Sequence, residues 1–266
     1  MDIIVCIKQV QDPDIPPRDF KVDEEKLAVI PPLNVPPVIS TFDENAIEAA
    51  VQLKEGHGAN VTALTVGPDR AKGPLKKCLA MGCDEAILLQ DEAFEGSDAF
   101  GVARILAAAV RKIGAFDIIL CGRLSSDWSY GATGPALAEA LDLLSVSQVQ
   151  KIEAMDGGLR CERVIEDGFE VVEVSTPCLL TVSNELNRPR LPTAKGILAA
   201  TRKQIPVWSA GDVGVDPVEV GAGAARLELT KLYKPVFAGG CEFIQGETLG
   251  EKAENLALRL REDKIL

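Results

Sequence analysis

The chain has 266 residues, 47% hydrophobic and 26% charged, the usage of an ordinary folded domain and not of a disordered or fibrous one. A chain of this size buries roughly 70–75% of its unfolded surface, so its core needs neither metal nor disulfide. A net charge of -12 repels nucleic acid, and one histidine in the whole sequence nearly excludes catalysis built on imidazoles.

In chain order, Ile3–Val10 predicts the first strand, and a proline-rich stretch, Pro31–Pro37, follows it. Thr41-Phe42-Asp43-Glu44 has the form of a capping box, opening a helix that Gly56 stops, with Ile47, Ala50 and Val51 on its inner face. Asn60–Val66 reads as a strand, followed by a helix to Met81 that Gly82 breaks, and Ala86–Leu89 as the next strand. Ser97 caps a helix through Ile113, and Asp117–Cys121 is a buried strand running into a long loop, after which a helix starts near Pro135. Strands alternating with helical segments give a parallel sheet covered on both faces. From Leu144 the pattern changes to strands joined by the tight turns Gly157-Gly158 and Asp167-Gly168, which predicts antiparallel strands at the sheet edge. Residues 183–203 are irregular, with a short helical segment near Ile197–Ala200, and Ser209–Ala225 reads as linker. A final helix, Leu249–Arg261, lines up Leu249, Ala253, Leu256 and Leu260 on a face without an obvious home.

The expected fold is therefore a three-layer α/β/α Rossmann-like parallel sheet with antiparallel edge strands and an extended C-terminal arm. Residues 1–208 form the body, including a loop at 184–203, and residues 209–266 form linker and arm. The seven cysteines form no CxxC pair, which points to a reducing cytoplasm without zinc or iron–sulfur chemistry. The start reads as a strand, not a signal peptide, and no segment approaches the ~20 apolar residues of a membrane span, so membrane insertion is not expected.

Ligands of open parallel sheets bind beyond the carboxyl ends of the strands, near helix N-termini. The candidate is the loop Gly122-Arg123-Leu124-Ser125-Ser126-Asp127-Trp128-Ser129-Tyr130-Gly131-Ala132-Thr133, longer than the ~2–6 residues a strand-to-helix link needs. Its glycines admit a ligand to the backbone, its hydroxyls donate and accept, Arg123 supplies a charge for phosphate, and Trp128 and Tyr130 can stack on a ring. A plain surface loop with a hydroxyl-capped helix remains the other reading. Neither GxGxxG nor GxxxxGK[ST] occurs. A second candidate is Leu186–Gly211, where Arg188, Arg190, Lys195, Arg202 and Lys203 stand without an acidic residue. It is either a patch that steers an acidic partner or a solvated loop. Glu44 and Glu48 read as a solvated helix face, and His57, Cys78 and Cys83 carry no function.

Several stretches together resemble the beta subunit of electron transfer flavoprotein, from Met1 to Leu266. The most specific is Arg163–Thr181, RVIEDGFEVVEVSTPCLLT, similar to the family signature apart from Cys161 two positions before it. Ile7-Lys8-Gln9-Val10, Phe42-Asp43-Glu44-Asn45-Ala46, Ala80-Met81-Gly82 with Asp84, Cys121-Gly122-Arg123, Leu191-Pro192-Thr193 and Lys195-Gly196-Ile197 support it in family order. The resemblance implies an electron carrier with no catalytic residues of its own, a heterodimer with an alpha subunit that holds most of a redox-active FAD. It also implies a second nucleotide within the beta chain, AMP in ordinary members or a second FAD in electron-bifurcating, NADH-oxidising ones. Positions matching the family's nucleotide contacts are Cys6, Ser40, Thr41, Phe42, Asp43, Val66 and Gly122–Thr133, with Phe42 matching an aromatic near the alpha-bound flavin.

Departures from the bifurcating pattern favour AMP. Ser40-Thr41 replaces Asn-Pro, Ser129 and Ala132 stand where an acid and an amide are usual, and Gly96-Ser97-Asp98 continues without the customary threonines. The resemblance further implies docking of an acyl-CoA dehydrogenase type flavoenzyme through Arg188, Arg190, Leu191, Ala194, Lys195 and Leu198. Ala194 stands where a leucine anchor is usual, so either Leu191 or Leu198 serves or the partner differs. A reading from another class is a single-chain AMP- or ATP-binding regulator without redox chemistry.

Overall fold

The computed structural model describes residues 1–33, 35–235 and 239–266; positions 34 and 236–238, within the proline-rich stretch and the C-terminal arm, lie outside the described residues. The first strand, β1 (Asp2–Cys6), shows how the core divides. Ile3 and Val5 join one apolar cluster and Ile4 and Cys6 another, because successive side chains of a strand point to opposite faces. The expected continuation to Val10 does not occur. Ile7 N–H still bonds the Leu64 carbonyl at 2.9 Å, but Lys8 N–H turns to the Asp43 carboxylate at 2.8 Å. Beyond that break, β2 (Gln9–Val10) leaves the main sheet, β3 (Lys21–Asp23) and β4 (Ala28–Ile30) form a small hairpin, and β5 (Val38–Ile39) pairs with β2.

Helix α1 (Thr41–His57) begins without the expected capping box: Ser40 is its N-cap and makes no side-chain cap bond. Asp43 is drawn away by backbone donors outside the helix, and Glu44 pairs with Lys77. The helix runs through Gly56 and stops at Gly58, whose φ of 70° lies in the left-handed region that glycine tolerates. Next come β6 (Asn60–Val66), α2 (Lys72–Met81), ended by Gly82 as expected, and β7 (Glu85–Leu89). Helix α3 (Ala99–Ile113) is capped by Asp98, one residue later than the sequence suggested, and β8 (Ile118–Gly122) leads to α4 (Thr133–Leu141).

Then β9 (Leu144–Met155), β10 (Gly158–Ile165) and β11 (Gly168–Ser175) fold back on one another, before β12 (Cys178–Val182), α5 (Ala194–Arg202), β13 (Val207–Trp208), α6 (Ala210–Val213) and α7 (Leu249–Glu262). The main sheet has nine strands in the order β11-β10-β9-β12-β8-β1-β6-β7-β13. Neighbours from β9 to β13 are parallel, and β10 and β11 are antiparallel at the edge. Helices α1, α2 and α5 cover one face and α3, α4 and α6 the other, the expected three layers. The stretch read as linker is part of this body, because Ala210 and Val220 are buried in the second cluster. No side chain of α7 is buried, and Leu249 is 87% exposed. Among the described residues no helix is long and apolar enough to cross a membrane.

Candidate functional site

Strand order reverses direction at β1, with β6 and β7 on one side and β8 on the other. Such a switch leaves a crevice beyond the carboxyl ends of the two strands, since their connections depart to opposite faces. A cleft of about 370 Å³ occupies this place. Its floor is Cys6 and Cys121, register partners at the ends of β1 and β8, with Val66 at the end of β6. The Cys6 thiol and burial push the Cys121 thiol well up, so Cys121 is an inert, neutral wall group.

The long loop and the start of α4 form the second wall through Leu124, Ser125, Trp128, Tyr130, Gly131, Ala132 and Thr133. The Trp128 and Tyr130 rings stack with centroids 6.1 Å apart. Asp43 reaches the cleft from α1 and braces it, accepting N–H bonds from Lys8 at 2.8 Å and Gly122 at 2.9 Å. Burial pushes its carboxyl up to about 7, against the pull of those two donors. Ser40 is buried just outside the wall, where its Oγ accepts the Ser126 N–H at 3.1 Å. Asp127 holds the loop from outside by pairing with Lys8 at 2.7 Å. Burial alone would raise the Asp127 carboxyl, but the Lys8 ammonium holds it below the usual carboxylate range.

Other expected residues do not line the cleft. Thr41 is exposed, and Ser129 sits on the outer turn of the loop with φ 55°. Gly122 lies beneath, where a Cβ would come within 2.5 Å of Asp43 Oδ1. Arg123 does not line the cleft: its main-chain N–H is held by the Val182 carbonyl at 2.9 Å, and its guanidinium lies 4.7 Å from the centroid of the Phe42 ring. Phe42 is half-buried beneath it.

A third wall was not read from the sequence. Gly96, Ser97, Asp98 and Ala99 at the start of α3, with Val102 and Leu106, face Leu227, Glu228 and Leu229 of the C-terminal segment. Asp98 joins them, since its Oδ1 accepts the N–H groups of Phe100 and Gly101 and its Oδ2 those of Arg226 and Leu227. Burial would raise this carboxyl, yet the four donors keep it below the usual range. The Gly-Ser-Asp triplet was a signal for the α3 side; nothing local marked the arm side. Lys8 and Ile7 complete the lining.

The two helix starts differ. That of α3 is occupied by the Asp98 carboxylate, whereas α4 has Ala132 at its N-cap and no side-chain acceptor. First-turn N–H groups lacking an acceptor form a ready anion site, strengthened by the helix dipole. Lys8 is the one cation in the wall among the described residues, and it is paired with Asp127. An anionic group therefore finds its best place at α4, with the aromatic pair and the apolar floor left for a ring.

The basic stretch is held as firmly as the cleft. The Arg190 guanidinium bonds Glu48 at 2.8 and 3.0 Å and Glu55 at 2.5 and 2.9 Å, so it is not a free docking charge. Glu48 is buried, not on a solvated face. Arg188, Leu191, Ala194, Lys195 and Leu198 are exposed.

Residues 32–213 match the family described as the electron transfer flavoprotein domain. The chain is 38% identical, over the whole of both chains, to the CarD subunit of the caffeyl-CoA reductase–Etf complex of Acetobacterium woodii. It is 37% identical to the electron transfer flavoprotein subunit beta of Clostridium acetobutylicum, and 32% identical to the acryloyl-CoA reductase electron transfer subunit gamma of Anaerotignum propionicum, again over the whole of both chains. These relatives give no support to a single-chain regulator.

Proposed function

The chain belongs to the electron transfer flavoprotein family, and from that premise we propose that it is the beta-type half of a two-chain electron carrier. Its partner is an alpha-type chain that holds FAD, and FAD supplies the redox chemistry when bound. This chain would exclude water from one side of that flavin, with Phe42, under Arg123, as the side chain that would approach it. The arm from residue 226 onward is the part that grips the alpha-type chain, and residues 1–225 are the body.

The cleft binds AMP. The observation that carries this is the α4 start, free of a side-chain cap and facing a cleft of about 370 Å³, near the lower end of the ~300–1,000 Å³ of small-molecule sites. The first-turn N–H groups of α4 and the Thr133 hydroxyl would hold its phosphate, and Trp128 and Tyr130 its base. No step of electron transfer passes through AMP. A second FAD in its place is the one arrangement that makes NADH-oxidising bifurcation available.

The donor is an acyl-CoA dehydrogenase type flavoenzyme, a class consistent with relatives named for acyl-CoA reductase complexes. It docks on the exposed surface around α5. Seven unpaired cysteines suit a cytoplasmic setting. Acid extraction of the co-purified two-chain complex, with chromatography of the released nucleotides, tests the reading: one FAD and one AMP per complex are expected. Two FAD would overturn the AMP assignment, and no flavin would overturn the carrier.

A further inference from the structure

Helix α1 carries a polar stripe, Asn45, Glu48, Gln52 and Glu55, spaced three and four residues apart so that all face the same way. Asn45 and Glu48 are buried at 3% exposure, which is expensive for an amide and a carboxylate unless they are bonded. Each is bonded to the stretch that precedes α5. Asn45 Nδ2 donates to the Asn187 carbonyl at 2.9 Å, and Asn187 Nδ2 returns a bond to the Asn45 carbonyl at 3.0 Å. Glu48 accepts from the Arg190 main-chain N–H at 3.1 Å as well as from its guanidinium, and Gln52 Nε2 donates to Glu48 at 2.8 Å. Burial would raise the Glu48 carboxyl, but these donors hold it below its ordinary range.

The far end of the same stretch is fixed by α2. Lys76 Nζ donates to the Ala200 carbonyl at 2.7 Å and also to that of Lys203, and Gly196 packs so close to the Ala80 carbonyl that a side chain has no room. Along this stretch Gly196 faces α2 while the apolar side chains turn to solvent, with Leu191 85% exposed and Leu198 58% exposed. A segment pinned at both ends loses less conformational entropy when a partner orders it.

The structure assigns to Asn45 and Glu48 the role of positioning residues that hold the docking segment 191–198 ready for its partner, an inference resting on the docking surface proposed above. Neither touches the partner or the cleft. Because Asp43, which lines the cleft, precedes them on α1, one helix sets both the cleft and the docking segment.

The test uses the complete two-chain complex and follows its reduction by an acyl-CoA dehydrogenase and substrate while the complex concentration is varied. Glu48→Ala and Asn45→Ala should raise the half-saturating concentration about tenfold for the loss of a preordered segment. The limiting rate and the bound nucleotide and flavin should stay as in the parent. Hydrogen exchange at amides 191–198 should quicken in both variants. Glu48→Gln, which keeps the shape and part of the bonding, should fall between them and the parent; it also stands in for Glu48→Ala should that variant not fold. Leu198→Ala separates the two claims. If it raises the half-saturating concentration and the α1 variants do not, the positioning role is wrong. If none of the variants does, the docking surface itself is wrong. Loss of nucleotide from the α1 variants would make their effect merely structural and also overturn the inference.

Discussion

The cleft and the C-terminal arm are built on opposite terms. The cleft is braced by two buried acceptors: Asp43 on α1 takes the N–H groups of Lys8 after β1 and Gly122 at the end of β8, and Ser40 before α1 takes that of Ser126 in the long loop. The arm ends in α7, a helix with an apolar row and no buried side chain. That helix leaves Leu249, Leu256 and Leu258 in solvent, the kind of apolar exposure that marks contact surfaces.

The sharpest way to expose the self-sufficiency of the cleft is through Asp43. Burial pushes its carboxyl up to about 7 in the folded chain from an ordinary value of 3.8 when unfolded. Between those values the folded chain keeps a proton at Asp43 that the unfolded chain has lost, so the contribution of Asp43 to stability is fully present below about pH 4 and is lost as pH rises through 7. The decline is on the order of 4 kcal/mol. Urea unfolding of the chain from pH 4 to 8 should show it, and Asp43→Asn should flatten it. A stability that rises over this range would mean that the two N–H donors, not burial, dominate.

A smaller effect is expected at Gly122. A Cβ there would lie 2.5 Å from Asp43 Oδ1 and 2.8 Å from the Phe42 carbonyl carbon, so Gly122→Ala should cost roughly 1–3 kcal/mol, as overpacking does. Loss of cleft-bound nucleotide should accompany it. Equal unfolding midpoints for parent and variant would show that the brace is slack.

The arm should respond least in the isolated chain. Leu256→Asp together with Leu249→Asp should change unfolding free energy by no more than ~0.5 kcal/mol, the usual range for surface positions. Co-purification with the alpha-type chain should nevertheless be lost. An arm variant that destabilises the isolated chain instead would erase the contrast.

What the sequence made legible follows from range. Periodicity is local, so the alternating strands, the antiparallel edge and α7 with its apolar face could all be read. The break in β1 at Lys8 could not, because its cause is a carboxylate on α1, thirty-five residues away. The long loop was legible as a ligand site from its length and glycines. That the Arg123 guanidinium lies over the Phe42 ring and outside the cleft lining was not legible, because α1 brings Phe42 there from eighty residues earlier. Five basic residues without an acid looked like a free patch, and only the tertiary fold brings Glu48 and Glu55 under Arg190. Leu227–Leu229 gave no signal at all, since their place in the cleft wall depends on Asp98, more than a hundred residues earlier.

The four backbone bonds of Asp98 have a kinetic consequence. By fixing Arg226 and Leu227 to the start of α3, this carboxylate roots the arm in the cleft wall of the body. A partner touching both the body and α7 is chelated: when one contact opens, the other keeps it within an effective concentration on the order of millimolar, and rebinding outruns escape. Slow exchange of partner can thus arise from two individually weak contacts, with the dwell time set as much by the root of the tether as by the helix at its tip.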